Sequence, residues 1–109
     1  MGDRGNIVIE SKTKEPLLYM YTHWSGSVVH RTLAAALAKG ESRWGDDAYL
    51  NRIIFQTLLD GDEGTTGFGL STTMGDGGTE VYVCHDTNTV RFEDEAPLSF
   101  AEFVKKWNV

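Results

Sequence analysis

The chain has 109 residues, 40% of them hydrophobic, and carries a formal net charge of -6, with a pI near 4.9. That length fits one domain with a modest core, and three Trp, four Tyr and five Phe residues exclude a disordered chain. The acid excess argues against nucleic-acid polymers, whose affinity comes largely from neutralised phosphates, and no apolar run approaches the length needed to span a bilayer.

Asn6 to Glu10 reads as a strand, and Leu17 to Thr22 as a second that alternates Leu18, Met20 and Thr22 against Leu17, Tyr19 and Tyr21. The polar SKTKEP between them suits a hairpin loop. After the break HWSG, Val28 to Lys39 predicts a helix stopped by Gly40. A second helix runs through DDAYLNRIIFQTLL, with Asp46 or Asp47 as its cap and Leu50, Ile53, Ile54 and Leu58 as its core stripe. Arg52, Phe55 and Leu59 form another stripe on that helix, which either widens the buried face or packs on a second subunit.

Beyond the loop DGDEGTTG, Phe68 to Met74 reads as a glycine-weakened strand, GDGG as a turn and Glu80 to His85 as a strand. DTNT then turns the chain into a hairpin with Val90 to Glu93. SFAE at Ser99 is a capping box that opens a last helix, with Phe100, Phe103, Val104 and Trp107 on its apolar face. The expectation is one α+β domain over residues 1 to 109, built on an antiparallel sheet in the order ββααβββα with helices mostly to one side. The start of the chain carries no signal-peptide pattern, and the lone Cys84 suits a reducing cytoplasm, which is the expected location.

The motifs that carry chemistry point to binding. The acidic loop at Asp60, Asp62 and Glu63 departs from calcium-loop spacing, and His23, His30, His85 and Cys84 lack metal-ligand spacing. No nucleophile elbow, phosphate-loop lysine or defensible acid/base pair is present. No metal or cofactor is therefore expected. What remains is a set of loops that combine aromatic rings or arginines with small donors and glycines: His23 to Ser27, Ser42 to Gly45, and the GTTGFG that contains Thr66, Gly67 and Phe68. Rings stack on bases, arginines and amides hold phosphates, and glycines let the main chain come close. Trp24 and Trp44 read either as packing residues at element ends or as ligand rings. Between Gly40 and Val104 the only cations are Arg43, Arg52 and Arg91, so a phosphate-bearing ligand has few choices.

The stretches RGNIVI, YMYTHWSG, SRWGDDAYLNRIIF and TTGFGLST together resemble the small phage-encoded anti-Thoeris proteins that act as sponges for cyclic ADP-ribose signals. The likeness runs through residues 4 to 73 and weakens beyond them. It implies a compact α+β protein that binds glycosylated cyclic ADP-ribose without cleaving it and forms dimers that assemble further, up to a dimer-based hexamer. Some members of that family also hold cyclic oligonucleotides in separate pockets. The resemblance assigns Phe68 to base stacking and Arg43 to phosphates, with Arg91 a further candidate by position alone. Thr66, Gly67, Ser71, His23 and Asp76 complete the expected ligand-binding set. Where the family has an Asn-bearing segment after the glycine-rich strand, this chain has Met74, Gly75, Asp76, Gly77 and Gly78, where backbone donors substitute. The reading is thus a non-enzymatic, homo-oligomeric protein that sequesters a cyclic nucleotide signal in the host cytoplasm, free of membrane. Its rivals are an enzyme that degrades such a nucleotide, with His23 or His85 as acid or base, and a protein-interaction module with exposed aromatics.

Overall fold

A computed structural model describes residues 2–75 and 77–108. The elements are β1 (Gly5–Glu10), β2 (Pro16–Thr22), α1 (Val29–Lys39), α2 (Asp47–Leu59), β3 (Phe68–Ser71), β4 (Thr79–Cys84), β5 (Thr89–Phe92), β6 (Leu98–Ser99) and α3 (Phe100–Trp107). Short 3-10 turns at Gly26–Val28 and Glu41–Arg43 precede α1 and α2. The strands form one six-stranded sheet in the spatial order β3-β2-β1-β4-β5-β6.

The fold is α+β, but the sheet is mixed where a purely antiparallel one was expected. The central pair β1 and β4 runs parallel, Gly5 opposite Thr79 and Glu10 opposite Cys84, while the other pairs are antiparallel. The expected order ββααβββα also lacks a strand, because the two-residue β6 pairs with β5 just before α3. The parallel pairing follows from the path after β3. That strand ends at Ser71 on the β2 edge, and β4 begins at Thr79 on the far side of β2 and β1, with the described residues 72–75 and 77–78 between them. Three strand spacings amount to about 14 Å, within reach of seven residues. The segment read as the end of a strand plus a GDGG turn is therefore a crossing.

The register separates the two faces of the sheet. Leu70, Met20, Ile7, Val81 and Phe92 stand in one row across five strands, and this face packs on the helices. Leu33, Ala34 and Leu37 of α1, Leu50, Ile54 and Leu58 of α2, and Phe100 and Phe103 of α3 close the core. Burial of such aliphatic and aromatic surface is the main favourable term in folding. All three helices lie on this side, with α1 central, α2 packed chiefly on α1, and α3 against α1 and the β5–β6 end.

Local signals explain the helix limits. Asp46 caps α2 by accepting from the Tyr49 amide at 3.3 Å, and Asp60, left-handed at φ 49, ends it. Ser99 and Glu102 form the expected capping box on α3, at 3.1 and 2.9 Å. Trp44 is half-buried; its indole donates to the Leu37 carbonyl at 2.9 Å and meets Phe100 edge-on, so it packs α1 against α3. No helix among the described residues is long and apolar enough to cross a membrane.

Candidate functional site

The second face of the sheet has no helix over it, and its rows alternate with the core rows. One reads Gly69, Tyr21, Asn6, Glu80; the next reads Ser71, Tyr19, Val8, Tyr82, Arg91. Asn6 and Val8 are nonetheless fully buried. Their cover comes from the flanking tyrosines and from the crossing segment, whose Thr73 and Gly75 line a hollow with Asn6, Tyr19, Tyr21, Gly69 and Ser71. The hollow measures about 290 Å³.

Leu70 of the β3 edge also borders it; the rest of its lining is rings, hydroxyls, an amide and glycine backbone, and none of its described lining residues is charged. A side chain at Gly69 or Gly75 would meet nothing within 4 Å, so packing does not demand glycine at either place. Their absence of side chains keeps the hollow open. Ser71 and Thr73 share a hydroxyl contact at 3.2 Å, and the Thr73 amide donates to Ser71 Oγ at 3.0 Å, which shapes the turn out of β3. Tyr21 Oη and His23 Nδ1 are hydrogen-bonded at 2.8 Å, so the ring of Tyr21 is fixed at the rim.

Further along the same face, Glu10 is 6% exposed and its carboxylate accepts from Arg91 Nη2 at 2.9 Å and from Nε at 3.4 Å. The Arg91 guanidinium also lies 4.0 Å from the Tyr82 ring centroid. Burial, first, and the neighbouring Glu80 push the Tyr82 hydroxyl above its ordinary value, against the opposing pull of Arg91. Arg91 is thus engaged by a carboxylate and a ring of its own sheet.

The remaining expected site residues fall into separate places. His23, Thr66, Gly67 and Phe68 meet where β2 ends and β3 begins. The His23 amide donates to the Gly67 carbonyl at 2.8 Å, and Thr22 lies opposite Phe68. Gly67 has φ +94 and the Trp24 indole lies against its Cα, so here both the backbone and the contact require glycine. Trp24 itself is 59% exposed and edge-on to His23. Phe68 is half-buried on the helix side, packed against the core cluster, and it borders a shallow cleft with Trp24, Leu58, Asp60 and Asp62. Those two carboxylates oppose a phosphate group.

Arg43 lies at the other end of the sheet, exposed, with its guanidinium 5.0 Å from the Tyr49 ring centroid. The loop it belongs to meets the β4–β5 turn, where Trp44, Asp47, His85 and Asp86 enclose a polar cleft of about 480 Å³. Within one chain, therefore, Arg43 and Phe68 are not brought together, and Ser71 faces a different side of the sheet from Phe68. Asp76 lies outside the described residues.

The histidines have distinct settings. His85 Nε2 sits 2.6 Å from Asn51 Oδ1, which assigns the ring proton to that nitrogen. Burial holds His85 below its ordinary pKa, against Asp47 and Asp86. His30 stacks on Phe92 and meets Trp107 edge-on, and burial, then the Arg31 charge, hold it low as well. Among the described residues, no three His, Cys, Asp or Glu side chains gather where an ion could sit.

Tyr19 and Tyr21 were not among the residues that the sequence singled out. The signal was present in the alternation of β2, which sets both on one face, but nothing in composition says that this face is the one left without helices. No protein family, curated protein or solved structure matches the chain.

Proposed function

We propose that the protein sequesters a small cyclic nucleotide of the cyclic ADP-ribose type without cleaving it, and that the hollow under the crossing segment receives the base and ribose. The observation that carries this reading is the lining of that hollow, in which Tyr19 and Tyr21 offer ring faces, Ser71 and Thr73 hydroxyls, and Gly69 and Gly75 access to the main chain. Rings accept a base without chemistry, and no described lining residue is a His, Cys, Asp, Glu, Lys or Arg, which favours retention over turnover. The sequence resemblance supplies the ligand class. Homo-oligomerisation belongs to the same reading, and support for it comes from the open edge of β3 beside the exposed Leu17 and Leu70.

The experiment is capture and release. The protein is incubated with a cyclic ADP-ribose isomer, freed of unbound ligand and heated, and the released material is analysed by chromatography. Intact nucleotide in stoichiometric amount is the expected result; linearised product identifies an enzyme, and an empty supernatant removes the proposal. Gly69→Val and Tyr21→Ala locate the site. The first closes the hollow without meeting any neighbour, and the second removes a ring worth about 1–3 kcal/mol of binding.

A further inference from the structure

On the helix side, the β2–β3 end of the sheet is not fully covered. Because α2 packs chiefly on α1, a cleft of about 470 Å³ remains between α2 and the sheet edge. Its walls are Leu18 and Met20 of β2, Leu70 of β3, and Phe55 and Leu59 of α2. Two amides, Asn51 and Gln56, and one charge, Arg52, complete the lining. The stripe of Arg52, Phe55 and Leu59 thus faces a cavity within its own chain.

We propose that this cleft binds an amphiphilic anion, an acyl chain with a carboxylate head, on the face opposite the nucleotide hollow, with Leu70 at the β3 edge bordering both. Its volume lies in the range of small-molecule sites, which combine apolar walls with a few placed polar groups. Four of its five apolar walls are unbranched or γ-branched aliphatic side chains and only one is aromatic, which suits a flexible aliphatic body. Charge decides the head group. The chain carries thirteen carboxylates against three arginines between Gly40 and Val104, yet the cleft has Arg52 and no carboxylate in its lining. Among the described residues, no acidic group lies within ion-pair distance of Arg52. Arginine presents a planar fork that matches a carboxylate in two places. Leu70, 54% exposed, forms the outer lip through which a chain enters.

The test uses the intact protein with hexanoate, octanoate and decanoate below their micellar concentrations, followed by calorimetry, with near-ultraviolet circular dichroism to confirm that the fold persists. Saturable binding of one anion per chain is expected, tightening about fourfold for each added methylene as apolar burial dictates. Arg52→Gln weakens decanoate about tenfold and leaves decanol unchanged. Leu70→Asp, at a position 54% exposed, abolishes both, with circular dichroism confirming that the variant folds. Affinity independent of chain length, or equal for wild type and both variants, overturns the proposal. So does a light-scattering result in which Leu70→Asp turns an oligomer into the 12.1 kDa monomer while decanoate never binds, because the cleft is then an interface between copies.

Discussion

On the helix side of the sheet, Ile7, Met20, Val81 and Val83 are buried among leucines and phenylalanines from three helices. On the other side, the same strands bury Asn6, Val8 and Glu10 with tyrosine rings, a guanidinium and a length of crossing backbone. The first arrangement is non-directional and tolerant of small shifts, because dispersion and the hydrophobic effect depend on area. The second depends on particular partners, since a buried polar group is costly once its hydrogen bond or counter-charge is lost. The contrast separates packing that depends on buried area from packing that depends on particular partners.

The largest effect belongs to the helix side. Phe103→Ala removes a fully buried ring from the junction of α3 with the core and is expected to cost about 3–5 kcal/mol in urea denaturation. A loss below 1 kcal/mol would mean that α3 is an appendage. On the bare side, Arg91→Leu leaves the Glu10 carboxylate buried without its counter-ion. The expected loss is about 2–3 kcal/mol, reduced from the value for a fully buried pair because Arg91 is 27% exposed. If Glu10→Gln combined with Arg91→Leu recovers most of that loss, the pair acts through its charge; equal losses in both variants would assign it to packing.

Phe68→Ala stands between the faces. Its half-buried ring predicts about 2 kcal/mol of lost stability in the ligand-free protein. A variant that melts like wild type and fails only in nucleotide capture would move the ring from the core to the ligand. Smallest is the response to pH. His30 and His85 both titrate below 6.5 in the folded chain, so the unfolded chain binds more protons at acidic pH. Stability is therefore full above about pH 6.5 and falls as pH drops toward the folded values. His85→Gln should flatten that slope, measured by urea midpoints between pH 7 and 5, and an unchanged slope would place the proton uptake elsewhere.

Much of the fold was legible because its signals are local. The cap at Asp46, the capping box at Ser99 and the stripe of Leu50, Ile54 and Leu58 each need only a few neighbouring residues to declare themselves. The hairpin turn after β4 is likewise local, with Asn88 taking a left-handed φ of 53. Parallel pairing of β1 with β4 is not local, and the glycines of 72–78 look the same whether they turn the chain or carry it across a sheet. The two-residue β6 exists only because β5 offers it an edge. At the candidate site, the glycines at 64–78 stand out in the sequence as one group, but the structure uses them for unlike reasons. Gly67 is required by Trp24, Gly78 by the Arg4 carbonyl, and only Gly69, Gly75 and Gly77 have open space beside them. Sequence spacing also could not reveal that Arg43 and Phe68 occupy opposite ends of the sheet.

The parallel pairing of β1 with β4 also sets the order in which the chain can be completed during synthesis. The β1–β2 hairpin can close early, yet the other edge of β1 waits for residues near 79 to leave the ribosome. That waiting edge belongs to NIVIE, the strand most deeply buried in the finished protein. An unpaired, β-branched edge held open for so long is a template for other nascent chains. Expression yield should therefore depend on how fast the segment from α1 to β4 is translated, and slow codons placed there should raise aggregation without altering a single residue.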